Sequence, residues 1–105
     1  LTNQYDFIIC NEVLEHLDAP KLLIYKLSDL MKNNGRLFIT AAINAANRDH
    51  VYLYNGIEEV REHILETGLK IISSASFYAY NGAKRGERVP EVAGFILEKW
   101  GIHVQ

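Results

Sequence analysis

The stretch YDFIICNEVLEHLDAP, residues 5–20, decides the fold. It opens with YDFIIC, an apolar run of strand length that is typical of a strand covered on both faces in a parallel sheet. A strand that only fills a core can end in any turn, but this one ends in an amide, two carboxylates and an imidazole. We expect this polar cluster to have either a capping role or a chemical one, and it comprises Asn11, Glu12, Glu15 and His16.

The segment after this cluster predicts a helix and a second strand. Asp18 is a candidate N-cap, Pro20 suits the first turn, and Gly35 is expected to end the helix in the left-handed conformation. Residues 36–43, RLFITAAI, then form another apolar run of strand length. One helix between two buried strands predicts a right-handed crossover that joins parallel neighbours in a sheet.

The rest of the chain predicts a second helix and two further strands. The helix has apolar residues on one face, starting at Ile57, and ends at Gly68. Strand-like segments follow at 69–80 and 92–100, and the turn-rich segment between them favours an antiparallel hairpin. The whole order predicts one α/β domain over residues 1–105, with a mostly parallel sheet and an antiparallel C-terminal hairpin.

The composition excludes several classes of protein. Of the 105 residues, 49% are hydrophobic and 23% are charged, as in an ordinary globular domain. A net charge of -2 gives no broad positive field for nucleic acid phosphates or anionic lipid. The one cysteine, Cys10, cannot form an internal disulfide, and no apolar stretch reaches the roughly 20 residues that span a bilayer. We therefore expect a cytoplasmic protein without a membrane or nucleic acid partner.

The predicted sheet also indicates where a ligand would bind. In open α/β sheets, ligands bind just beyond the carboxyl ends of the parallel strands. Asn11 and Glu12 directly follow the first strand, and Asn44 directly follows the second. These three residues are therefore expected to share one edge of the sheet, at the mouth of a single cleft.

Three segments, in this order, resemble the C-terminal half of a class I S-adenosylmethionine-dependent methyltransferase. They are the stretch at 5–20 with its E-x-L-E-H motif, the segment NNGRLFITAAIN, and DHVYLYNGIEEVREHILETGLKI at 49–71. The resemblance implies a Rossmann-like fold without its N-terminal strands, S-adenosylmethionine as the cofactor and a small molecule as the methyl acceptor. The glycine-rich cofactor loop of that family is absent from this sequence.

The resemblance also implies roles for individual residues. Cys10, Asn11 and Glu12 are expected to line the methionine part of the cofactor, whose cationic sulfonium and amino group suit a rim of carbonyl and carboxylate oxygens. His16 is the expected catalytic base, which takes a proton from the acceptor. From the residues alone, other roles stay open: Asn11 as a helix cap, Glu12 as a solvated acid and His16 as a structural side chain.

The long connection after the second strand is the expected wall of the acceptor site. The resemblance implies that Asn44, His50 and Tyr52 bind the substrate. The alternative is that Tyr52 and Tyr54 merely pack on the following helix. His63, on the flank of that helix, is expected to be a solvent-exposed histidine.

A metal site is a further alternative for the polar cluster. On a helix, Glu12, Glu15 and His16 would project from one face, and His50 would supply a fourth ligand for Mg, Mn or Zn. This constellation locally resembles methyltransferases that modify the 3′ ends of small RNAs, although the charge balance argues against an RNA substrate.

Two functions therefore compete. The first is methyl transfer to a small molecule, as part of a longer chain, which a first residue of Leu1 rather than Met favours. The second is a non-catalytic fragment derived from a methyltransferase. In both cases the inward edge of the first strand is expected to expose unpaired backbone groups, and a second copy or a missing N-terminal half would pair with them.

Overall fold

The computed structural model describes residues 4–44, 52–78 and 90–100, so His50 and the turn-rich segment before the last strand lie outside the described residues. Neither helix in these ranges is long and apolar enough to cross a membrane. The elements are β1 (Tyr5–Asn11), a 3-10 turn (Leu14–His16), α1 (Pro20–Leu30), β2 (Met31–Ile43), α2 (Ile57–Glu66), β3 (Leu69–Tyr78) and β4 (Glu91–Lys99).

The four described strands form one sheet in the order β1-β2-β4-β3. β1 and β2 are parallel neighbours joined through α1, while β4 runs antiparallel to both β2 and β3. The α/β class, the parallel crossover and the antiparallel pairing of the last two strands are thus confirmed. The prediction of a mostly parallel sheet is only loosely matched. β1, β2 and β3 run in the same direction, but β4 lies between β2 and β3, so only one of the three pairs of neighbouring strands is parallel.

The core lies between the sheet and the two helices, which contact each other on one face of the sheet. From Leu37 to Ile43 in β2 and from Ala93 to Leu97 in β4, every second side chain points into this core and is fully buried, as the period of two in a strand requires. Ile24 of α1 and Val60 and Ile64 of α2 close it from the helix side. The buried strand residues are Leu37, Ile39, Ala41, Ile43, Ala93, Phe95 and Leu97.

The opposite face of the sheet carries apolar side chains that the described helices do not cover, and we call it the open face. Ile9 lies beside Phe38, and Phe38 lies beside Ile96, so these three side chains share one face across three strands. Phe7 and Phe77 extend the open face to both edges of the sheet and are 56% and 71% exposed. A contiguous apolar surface of this kind marks an interaction site.

The ends of α1 differ from the prediction. Pro20 occupies the first turn, as expected, but the N-cap is Ala19 and no side chain caps the helix, so the predicted cap by Asp18 is wrong. Gly35 does not end the helix either, because α1 stops at Leu30 and Gly35 lies inside β2. Gly68 does follow the second helix in the left-handed conformation, with φ of 85°, as predicted.

Candidate active site

The carboxyl end of β1 lies beside Thr40 of β2, and the hydroxyl of Thr40 joins the two strands there. Asn11 pairs in register with Thr40. The Thr40 hydroxyl donates to Asn11 Oδ1 over 2.5 Å and accepts the backbone N–H of Glu12 over 2.9 Å. The same N–H also reaches the Thr40 carbonyl at 3.2 Å. Thr40 is therefore part of the site, and its position as the one hydroxyl within the apolar run RLFITAAI was the signal for it.

The residue that directly follows each of these two strands has a left-handed backbone. Glu12 and Asn44 each have φ of 55°, a region that favours glycine and that asparagine tolerates better than glutamate. For Glu12 this conformation costs about 1–2 kcal/mol, so the surrounding hydrogen bonds must hold it in place. Backbone of this kind concentrates at functional sites, and here it turns the chain sharply at the edge where a ligand is expected.

The 3-10 turn separates the carboxylates and the imidazole that the metal hypothesis brought together. Glu15 is 1% exposed and lies in the core, whereas His16 is exposed. Glu12 lies before the turn with non-helical backbone, so the prediction of a shared helical face for Glu12, Glu15 and His16 is wrong. In the described ranges no group of three potential ligands is placed to hold a metal ion, and His50 lies outside them.

Glu15 is an unusual buried acid. Its Oε2 atom has no hydrogen-bond partner within the part of the chain that the structure describes. The neighbouring Cys10 is also buried, and burial raises the pKa of its thiol, with the Glu15 carboxylate raising it further. Cys10 is thus a neutral thiol in the core, so among its atoms only the backbone is placed to serve the rim.

The segment from Tyr52 to Tyr54 ties the two strand ends together. The Tyr52 N–H donates to the Glu15 carbonyl over 3.0 Å, and the Asn44 N–H donates to the Tyr54 carbonyl over 2.8 Å. Both tyrosine rings pack against His63 of α2 with ring centroids 5.3 Å apart, so these side chains do pack on the following helix, and the role of Tyr52 toward a substrate stays a prediction. His63 is consequently half-buried against two aromatic rings and is not the solvent-exposed histidine that the sequence predicts.

The predicted site residues therefore fall into three groups. Asn11, Glu12 and Asn44 lie toward the carboxyl-terminal edge of the parallel strands, as expected, with Asn44 four residues beyond the partner of Asn11, and His16 is exposed just beyond Glu12. Tyr52 contributes its backbone to that edge while its hydroxyl points to α2. Their roles toward a cofactor and an acceptor stay predictions.

A Rossmann-like α/β sheet with polar residues at the carboxyl ends of its parallel strands defines a class of ligand-binding domain. The chain belongs to the methyltransferase domain family, whose model matches residues 1–80. It is similar to an (S)-coclaurine N-methyltransferase of Thalictrum flavum subsp. glaucum, with 31% identity over 83 residues, 76% of this chain and 22% of that protein. A ubiquinone biosynthesis O-methyltransferase of Glaesserella parasuis serovar 5 (strain SH0165) is 37% identical over 59 residues, 56% of this chain and 25% of that protein.

A solved structure supports the same fold. The 1,6-didemethyltoxoflavin-N1-methyltransferase of Burkholderia thailandensis, with bound 1,6-didemethyltoxoflavin and S-adenosylhomocysteine, superposes with a TM-score of 0.71 at 17% identity. The match covers 93% of this chain and 45% of that one. The chain thus spans 22% and 25% of the two relatives and less than half of this structure.

Proposed function

We propose that this chain supplies the C-terminal half of an S-adenosylmethionine-dependent methyltransferase that acts on a small molecule. The observation that carries the proposal is the end of β1, where the Thr40 hydroxyl of β2 joins Asn11 to the strained backbone of Glu12. Asn44 lies four residues beyond Thr40, where β2 itself ends in the same left-handed conformation. Membership of the methyltransferase domain family supports the reaction class.

The charges at this edge fit a cationic cofactor. Glu12 is an exposed carboxylate at the end of β1, and Glu15 is a buried one with an oxygen that lacks a partner among the described residues. S-adenosylmethionine supplies a methyl group on a cationic sulfonium. Asn11 and Glu12 would hold its methionine part, because carboxylate and amide oxygens stabilise positive charge.

His16 and the connection after β2 would serve the acceptor. His16 is exposed four residues after Glu12, and its imidazole would take a proton from a hydroxyl or amine of the acceptor. Asn44, Tyr52 and His50 would line the acceptor side of the cleft and hold the nucleophile in line, and such positioning accounts for much of the rate of a transfer reaction.

Replacing Glu12 by glutamine should weaken binding of S-adenosylhomocysteine about three- to fivefold, since an exposed ion pair between the Glu12 carboxylate and the ammonium group of this ligand contributes up to roughly 1 kcal/mol. The measurement is a titration of the ¹⁵N-labelled chain followed by NMR, which detects weak binding. In the unmodified chain the shifts should concentrate on the amides of Cys10, Glu12 and Asn44.

Glu62, an exposed acid on α2, provides the matched control, because Glu62→Gln removes the same charge far from the edge of the sheet. Equal affinities of the unmodified chain and Glu12→Gln would contradict the role of Glu12. Shifts confined to the helices, or none at the strand ends, would contradict the proposed site.

The open face and the outer edge of β1 support the proposal of a partner. β1 is an outer strand of the described sheet, and its side chains Phe7 and Ile9 are 56% and 65% exposed. An unpaired strand edge with apolar side chains favours addition of another strand. We assign this surface to a companion N-terminal half of the same protein, and in its absence to a second copy of the chain.

The chain on its own should therefore dimerise as its concentration rises. Light scattering after size-exclusion chromatography should give a mass that increases toward twice 12.0 kDa. Ile9→Lys places a charge on the edge strand and should keep the chain monomeric. A chain that is monomeric over the whole concentration range would overturn the assignment, and so would a dimer that Ile9→Lys leaves intact.

A further inference from the structure

We infer that His63 is a positioning residue for the candidate site, acting through a one-way chain of hydrogen bonds that fixes residues 52–54 beneath the two strand ends. This hydrogen-bond chain runs from Tyr54 through His63 and Tyr52 to Glu59, and it links α2 to the connection after β2. The consequence of this hydrogen-bond chain for methyl transfer rests on the proposed function, whereas the hydrogen bonds themselves do not.

The direction of donation along the hydrogen-bond chain follows from the chemistry of its last member, Glu59. The Tyr52 hydroxyl lies 2.9 Å from Glu59 Oε2, and a carboxylate only accepts, so Tyr52 donates its one proton there. The Tyr52 oxygen can then only accept from His63 Nε2, at 3.3 Å, which requires the proton on Nε2. In a neutral imidazole Nδ1 is then the acceptor, and it takes the hydroxyl proton of Tyr54 over 3.0 Å.

Both phenols keep the protons that this direction needs. Burial raises the pKa of Tyr54 strongly, with contributions from Tyr52 and the carboxylates of Glu59 and Glu15. Burial and the hydrogen bond to Glu59 raise the pKa of Tyr52. Tyr54 is fully buried, so the acceptor nitrogen of His63 satisfies a hydroxyl that water cannot reach.

Backbone hydrogen bonds of Tyr52 and Tyr54 connect the hydrogen-bond chain to the candidate site. Tyr52 binds the Glu15 carbonyl through its N–H, and Tyr54 accepts the Asn44 N–H through its carbonyl. Fixing the two tyrosine rings on α2 therefore fixes the turn after β1 relative to the turn after β2. Glu59 also accepts the Asn55 N–H over 2.9 Å, so the same carboxylate holds the next residue of the segment.

The experiment compares the 105-residue chain with its His63→Phe and His63→Gln variants. Ring-nitrogen NMR of the unmodified chain should show the neutral imidazole with its proton on Nε2. In His63→Phe, which keeps a ring but loses both nitrogens, hydrogen exchange at the amides of Tyr52 and Asn44 should accelerate about tenfold through local opening. His63→Gln should restore part of the protection, because its amide offers a donor and an acceptor.

Core amides distinguish positioning from a loss of overall stability. The amides of β2 should keep their protection in His63→Phe, and Glu62→Gln on the same helix should change nothing. A proton on Nδ1, unchanged exchange at Tyr52 and Asn44, or equal acceleration at every core amide would overturn the inference.

Cofactor binding separates this inference from the proposed function. S-adenosylhomocysteine should bind His63→Phe roughly threefold to tenfold more weakly than the unmodified chain, as expected for coupling through a packed network. Unchanged affinity despite local opening would overturn the positioning role. A different outcome is that S-adenosylhomocysteine does not bind the unmodified protein, while the tautomer and the exchange pattern are as expected. That result would contradict the proposed function and uphold the hydrogen-bond chain.

Discussion

Replacing Leu14 with alanine is expected to lower the free energy of unfolding by about 2–5 kcal/mol, measured by urea denaturation. Leu14 is the middle of the E-x-L-E-H motif and is fully buried in the core cluster. Truncation removes the burial of its side chain and leaves a cavity that the surrounding strands cannot fill. A loss of this size is a large part of the roughly 5–15 kcal/mol that stabilises a small domain.

The neighbouring residue offers a matched control. Val13 is 37% exposed, so Val13→Ala should change the free energy of unfolding by no more than about 0.5 kcal/mol. Leu14→Met, which nearly conserves volume, should cost less than about 1.5 kcal/mol and gives a measurable variant if the alanine variant does not fold. Similar losses for Val13→Ala and Leu14→Ala would show that Leu14 does not anchor the turn.

A second large effect is expected from Gly35→Ala, which should cost about 1–3 kcal/mol in the free energy of unfolding. An added Cβ at Gly35 would lie 2.9 Å from the Tyr5 carbonyl oxygen, 3.0 Å from that of Asp6 and 3.1 Å from that of Lys32. These are backbone atoms, so no side chain can rotate away, and β1 must shift relative to β2. Thermal or urea unfolding would measure the loss.

Gly56→Ala is the control for the general effect of losing a glycine. An added Cβ at Gly56 meets nothing within 4 Å, and its backbone is extended. The lower entropy of the unfolded chain and the poorer helix cap nearly cancel there, so we expect a change within about 0.5 kcal/mol. If the two alanine variants are equally stable, the close approach of β1 to Gly35 is not a constraint on the fold.

The parallel pair of strands could be predicted because two apolar runs flank one segment with helical periodicity. A strand, a helix and a second strand in this order form a parallel crossover, which the local sequence pattern is enough to identify. Gly35 could not be placed correctly, because a glycine after a helix commonly ends it and the alternative reason lies in another strand. β1 approaches so closely that only a residue without a side chain fits, and the sequence near Gly35 carries no trace of that contact. The insertion of β4 between β2 and β3 likewise depends on pairings distant in sequence.

The site was partly predictable for the same reason. The positions of Asn11, Glu12 and Asn44 follow from the strand ends, so their common edge was expected. The separation of Glu15 from His16 was not, because the E-x-L-E-H segment forms a 3-10 turn after a left-handed residue instead of a regular helix. The packing of His63 depends on the tyrosines of a connection that shows no clear period in the sequence.

The place of β4 in the sheet bears on how the protein forms during synthesis. β3 finds its only strand neighbour of the described sheet in β4, and β2 needs β4 on its second side. A ribosome translates β4 after every other described strand, so until then β3 lacks its partner in the described sheet and β2 lacks its second neighbour. Such long-range pairing is slow to form and leaves apolar strands exposed meanwhile. Completion of the sheet must therefore wait until residues 91–99 leave the ribosomal tunnel.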